Sequence, residues 1–192
     1  MKKIIPLLLV LGLTIGTSGC GNTSPNTGTN TNTNLTTSEP IKMGRIEYAA
    51  HGTQSFTVAV AAVQGDKIVG ASIDDYQFMP VASAKGVPNS DVVDNNGLGS
   101  NYKDPKTNVL ASKRTNNEYY SKNMKDKANA TKEIADNYDA IEKYVTGKTI
   151  SELEKVLADN DKDKMVDVVS TATLTDTKGY VTAIVEAAKA AK

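Results

Sequence analysis

Three hydroxyl side chains, Ser170, Thr171 and Thr173, stand between an apolar run and an alanine-rich helix in the stretch MVDVVSTATLTDTKGY (165–180). Hydroxyls in such a place have two uses. They cap a helix by accepting a backbone N–H, or they offer an oxygen to which a group is attached. The helix is predicted to begin near Asp176, which is itself a good cap, so Ser170 and Thr173 are not both needed as caps. A turn that enters a helix also presents free backbone N–H groups and the positive end of the helix dipole, which favour a phosphate. The stretch therefore reads either as a helix entry or as a handle for a phosphorylated group.

Other residue types narrow the chemistry. The chain has one histidine and one cysteine. A zinc or haem centre needing several histidines is excluded. A Ser-His-Asp or Cys-His nucleophile system is disfavoured, since His51 would have to serve alone; near a turn, it reads as a surface residue. Gly97 and Gly99, in a polar loop, are spaced to bring backbone N–H groups to a phosphate or a ring edge, or simply to make a turn. Lys113-Arg114 could meet an anion, because a guanidinium forks onto phosphate oxygens; the alternative is a solvated strand end. Tyr76 and Phe78 are flat faces on which a ring could stack, or the closing edge of a core. Asp74-Asp75 is a poor acid–base pair, since neighbours on a strand point to opposite faces. Asp91, Asp94 and Asp104 with their asparagines resemble calcium ligands, but their spacing fits no EF-hand loop.

These residues have to be positioned by one domain. Residues 41–192 form a segment of about 150 residues, enough for one core. Arg45–Ala49, Ser55–Val63 and Lys67–Ile73 alternate with the two-residue period of strands, and Gln64-Gly65-Asp66 is a tight turn, so a β-meander is expected. Asp74–Pro80 is expected to leave the sheet, followed by a long irregular stretch to Pro105. Glu118–Ala128 reads as a short helix. Ile134, Tyr138, Ile141 and Val145 lie on one helical face. Thr149-Ile150-Ser151-Glu152 fits a capping box ahead of Leu153, Val156 and Leu157. Met165–Val169 reads as a short buried strand. The final helix, about Thr177–Ala191, has Val181, Ile184, Val185 and Ala188 on its apolar side. The fold class is therefore α+β, a small antiparallel meander packed with C-terminal helices.

The first residues address location. Residues 1–19 join Lys2-Lys3 to an apolar run and then to small residues, the pattern of an export signal that is too short for a stable membrane span. The Thr17-Ser18-Gly19-Cys20 ending resembles the lipobox of bacterial lipoproteins, in which the thiol carries a diacylglycerol. Such an anchor buries many methylenes at about 0.8 kcal/mol each. Residues 20–40 continue as an Asn/Thr/Ser-rich tether, unable to bury enough apolar area to offset its ordering entropy. About 20 such residues average on the order of 25 Å end to end. Lys and Arg balance Asp and Glu at 22 each, and no basic stripe with interleaved aromatics appears, so nucleic acid is not an expected partner.

Asp167, Ser170, Ala172 and Thr173 spell D-x-x-S-x-A-T, which resembles the flavinylation motif D-x-x-[ST]-G-A-T of the FMN-binding domain family. Gly65-Asp66-Lys67-Ile68 resembles that family's turn-strand, and Asn96-Gly97-Leu98-Gly99 stands where its T-P-G-x-G loop is found. Within residues 101–161, Ala111-Ser112-Lys113-Arg114 and Met124-Lys125 resemble a lipoprotein subgroup of Gram-positive bacteria. The resemblance implies an FMN-binding-domain-like fold and FMN held by a phosphoester on Thr173. It also implies a flavin transferase that installs the group from FAD with magnesium. Ser170, Thr171, Ala172, Asp167, Gly97 and Gly99 would then surround the cofactor. Thr171 stands in place of the motif glycine; if that glycine serves a left-handed backbone, threonine there costs about 1–3 kcal/mol.

The expectation is an extracytoplasmic electron carrier, lipid-anchored at Cys20 to the outer face of the cell membrane, with a redox partner at the membrane or cell surface. A flavin carrier needs no acid or base from the protein, which suits a chain so poor in His and Cys. The rival is a binding module of the cell envelope that uses the same fold without covalent flavin. A hydrolase is a third reading, disfavoured because no nucleophile has a visible activating base.

Overall fold

In the computed structural model, which describes residues 39–169 and 171–192, four strands form one antiparallel sheet in the order β1-β2-β3-β4. The strands are β1 (Ile41–Tyr48), β2 (Ser55–Gln64), β3 (Lys67–Pro80) and β4 (Asn108–Ser112). The signal, Cys20, the tether up to residue 38, and Ser170 lie outside the described residues. Strand β2 follows its own alternation: Thr57, Ala59, Ala61 and Val63 are buried, while Phe56, Val58, Val60 and Ala62 face the other way. Gly65-Asp66 closes the β2–β3 hairpin, and the register slips by one residue at Ala62/Val63.

Residues Asp74–Pro80, expected to leave the sheet, instead complete a 14-residue β3. The strand tolerates an inward carboxylate because Asp75, fully buried, meets the ammonium of Lys113 at 2.8 Å. Residues 81–107 then form the long connection, with a 3-10 turn at Leu98–Asn101, and β4 returns beside β3.

Five helices follow: α1 (Asn117–Ala128), α2 (Ile134–Val145), α3 (Ile150–Asp159), α4 (Lys162–Val168) and α5 (Thr177–Lys189). Helix α1 ends on Asn129, whose left-handed backbone (φ 52°) suits an asparagine. Ile134, Tyr138, Ile141 and Val145 are buried on one face of α2. Helix α3 begins with the reciprocal capping box of Thr149 and Glu152. Residues 165–169, expected as a strand, belong to α4 and its end. Asp161 caps that helix, accepting the Lys164 N–H at 2.9 Å, and Met165 and Val169 face the core one turn apart. A five-residue stretch with four apolar residues is too short for its period to separate a strand from a helical turn.

Helix α5 closes the fold. Thr177, Tyr180, Val181, Ile184, Val185 and Ala188 are among its buried residues, and it packs on β1 and β2. The approach is close at Gly44, where an added Cβ would fall 1.8 Å from the Ala187 carbonyl oxygen. Ala59, Ala61, Ile68, Ile73, Tyr138, Leu153 and the inner side of α5 make one core. The α+β class expected from the sequence is the class observed.

Candidate functional site

The turn from α4 into α5 leaves Thr173 exposed. One side chain holds it. The Thr173 backbone N–H donates to Asn137 Oδ1 at 2.6 Å, and its hydroxyl donates to the same oxygen at 3.2 Å. Asn137 is fully buried in α2, and its Nδ2 donates to the Glu133 carbonyl at 2.8 Å. That bond sets which way the amide faces.

Thr173 lines a cleft of about 280 Å³. Tyr120, Met124, Ile134 and Leu174 form its apolar wall, and His51, Thr175 and Asp176 its polar side. A second hollow of about 310 Å³ shares Tyr120, Met124 and Ala128 with the first. Pockets for small organic molecules start at about 300 Å³. A ring lying against this wall would therefore remain partly in solvent.

His51 was expected at the surface near a turn. It lies in the β1–β2 turn with its side chain 41% exposed, and its Nδ1 is 2.6 Å from Asp176 Oδ2. Asp176 precedes α5, yet its carboxylate makes no cap bond. Its other oxygen meets Lys162 Nζ at 2.6 Å. Burial pushes the Asp176 carboxyl up, but the bonds and charges of Lys162 and His51 outweigh it and hold the group below the ordinary value.

Behind the cleft lies a buried polar cluster. Asp75 accepts from Lys113 Nζ at 2.8 Å, from the Tyr180 hydroxyl at 2.7 Å and from the Thr57 hydroxyl. The Tyr138 hydroxyl lies 3.4 Å from that of Tyr180, and the two rings meet edge to face at 5.2 Å. Burial, with Tyr138 and Asp75 adding to it, pushes the Tyr180 hydroxyl far up, so it stays a donor. Lys113 sits 4.7 Å from the Tyr120 ring centre. Lys113 is thus neither a solvated strand end nor a free anion receptor.

Arg114 is also committed. It meets Asp139 at 2.7 Å and Glu142 at 2.5 Å, and donates from Nε to the Ile73 carbonyl at 2.8 Å. Asp74, on the opposite side of β3 from Asp75, takes the Ser112 hydroxyl and the Arg114 backbone N–H. Burial raises its carboxyl, against those two hydrogen bonds.

The expected cofactor residues divide. Thr173 lines the cleft. Asp167 is exposed on α4, and Ala172 is buried. Thr171 is exposed, and its carbonyl accepts from Lys132 Nζ. Gly97 and Gly99 do not line the cleft. Their N–H groups are spent inside their own loop, on the Asp94 and Val92 carbonyls at 2.9 Å each. A Cβ at Gly97 would meet the Val92 carbonyl oxygen at 2.3 Å, so close packing explains that glycine. Tyr76 stacks on Phe56 at 5.4 Å, and Phe78 meets Tyr102 edge-on at 4.8 Å. Phe78 lines the second hollow and Tyr76 lines neither.

Sequence reasoning missed Asn137, the His51–Asp176 contact and the Lys113–Asp75 pair. Asn137 did leave a signal: it is polar and directly precedes Tyr138 on the apolar side of α2. His51 and Asp176 lie 125 residues apart and left none. No family model, curated protein or solved structure matches the chain. No described helix is long and apolar enough to cross a membrane.

The donor set fits a phosphoester-linked ring. Thr173 is an exposed residue lining the cleft, Tyr120, Met124, Ile134 and Leu174 give it an apolar wall, and the Lys132 ammonium is held at the Thr171 carbonyl.

Proposed function

We propose that this chain is an extracytoplasmic lipoprotein, anchored through Cys20, that carries FMN on Thr173 and passes electrons between a membrane donor and an acceptor at the cell surface. The observation that supports this reading best is that Thr173, an exposed residue, lines an apolar-walled cleft. The D-x-x-S-x-A-T spelling of residues 167–173 supports it independently. Bound flavin supplies a ring that takes one or two electrons.

Attachment by a flavin transferase would join Thr173 Oγ1 to the flavin-side phosphorus of FAD, with the phosphoanhydride P–O bond broken and the hydroxyl proton leaving with AMP. Tyr120, Met124 and Leu174 would hold the ring against the apolar wall of the cleft. The tether gives the domain reach along the membrane.

Co-production with a flavin transferase tests the reading. The intact mass rises by one FMN less water, and Thr173→Ala abolishes the rise. A colourless protein of unchanged mass overturns it. Yellow colour released on denaturation favours the second reading, a binding module with noncovalent ligand, which the small cleft also suits. Cys20→Ala releases the protein from the membrane fraction if the anchor reading holds.

A further inference from the structure

Hydroxyls crowd the segment that would accept flavin: Ser170, Thr171, Thr173 and Thr175 lie within six residues. A phosphoryl group arriving there has several oxygens to choose from. Thr171 and Thr173 are both exposed, so exposure does not separate them. Among the described residues, what does separate them is Asn137. Its Oδ1 takes both the backbone N–H and the hydroxyl proton of Thr173. Two donors of one residue on one acceptor fix the backbone and the χ1 rotamer together. They also commit the hydroxyl proton inward, which turns the oxygen's lone pairs outward. Asn137 is itself immobile, fully buried and tied back to the Glu133 carbonyl.

We propose that Asn137 is the positioning residue that selects Thr173 as the acceptor oxygen for flavin transfer. The inference deepens the flavin reading and rests on it. Asn137 touches neither FAD nor the reacting phosphorus. It acts by holding the nucleophile in one orientation, so its loss lowers turnover more than it weakens the encounter with the transferase. It also frees the segment, and neighbouring hydroxyls then compete. A residue that merely stabilised α2 would lower the melting temperature and leave both the turnover and the choice of oxygen intact in folded protein.

The experiment uses the whole mature chain, purified without flavin, then incubated with a flavin transferase, FAD and magnesium. Initial rates are followed by intact mass at several chain concentrations, and the attachment site is mapped by peptide mass spectrometry. Wild type carries flavin on Thr173 alone. Asn137→Ala lowers the saturating rate roughly 10–100-fold with little change in KM, and part of its flavin appears on Ser170, Thr171 or Thr175. Asn137→Asp, which keeps an acceptor oxygen, retains attachment at Thr173. Asn137→Ser is run in parallel, because its short side chain keeps a hydroxyl for a buried polar site but cannot serve both donors of Thr173. Each variant is assayed below its own melting temperature. If Asn137→Ala or Asn137→Ser keeps the wild-type rate and labels Thr173 alone, the inference falls and the flavin reading stands. If wild type takes no flavin, both fall.

Discussion

Replacing Lys113 with methionine removes the ammonium that neutralises Asp75 inside the protein. Both side chains are wholly buried, and their charged atoms are 2.8 Å apart. After the substitution Asp75 keeps only neutral donors, the hydroxyls of Thr57, Tyr180 and, at 3.5 Å, Ser55. Breaking a buried pair on one side costs about 3–5 kcal/mol, because an uncompensated charge stays in a medium of low polarisability. A domain of this size has about 5–15 kcal/mol in all. With a urea slope of about 1–3 kcal/mol per molar, the unfolding midpoint falls by roughly 2 M. The companion variant, Lys113→Met with Asp75→Asn, removes both charges and keeps an amide for Tyr180 and Thr57. It stays within about 1.5 kcal/mol of wild type, since neutral replacements of buried pairs are often harmless. Urea unfolding of the four proteins of this cycle, followed by circular dichroism, measures both values. A loss under about 1 kcal/mol for Lys113→Met, or a double variant no better than the single, refutes the account of Asp75 as a charge held in place by Lys113.

Gly44→Ala puts a methyl 1.8 Å from the Ala187 carbonyl oxygen; β1 and α5 must separate, at about 1–3 kcal/mol, which calorimetry registers as a lower melting temperature. Thr149→Ala breaks the capping box of α3 and costs about 1 kcal/mol, readable by the same melt. Asp176 titrates below its ordinary value of 3.8 in the folded protein, so between the two values the unfolded chain binds more protons. Its stabilising contribution is present above 3.8 and is lost as pH falls through the folded value. Asp176→Asn therefore lowers the melting temperature at neutral pH and narrows its gap to wild type in acid; a gap independent of pH contradicts this.

The meander was legible because β1, β2 and the start of β3 alternate over Ala-, Val- and Ile-rich segments. The faces of α2 and α5 were legible for the corresponding reason at helical period. The second half of β3 was not, because Asp74-Asp75 looks like the end of a strand until Lys113 is known to neutralise one of the two carboxylates. Helix α4 was misread because Met165–Val169 is short, with four apolar residues around Asp167, and its decisive residue, the cap Asp161, is one of several acids nearby. Of the candidate site, only the placement of Thr173 at a cleft can be compared with the sequence reading. Thr173 could be singled out from its neighbours' spelling. The groups that surround it in space come from the β1–β2 turn, α1 and α2, and such partnerships leave no mark along the chain.

Helix α5 is the lid of the sheet, and it is delivered late. A ribosome makes Ala59, Ala61, Ile68 and Ile73 more than a hundred residues before Val181 and Ile184, which pack into the same core. Contacts so distant in sequence make for slow closure. Until α5 arrives, β1 and β2 lack the helix that packs on them and Asp75 lacks the Tyr180 donor. Truncation within α5 therefore bares the inner sides of β1 and β2, which the earlier helices leave to α5.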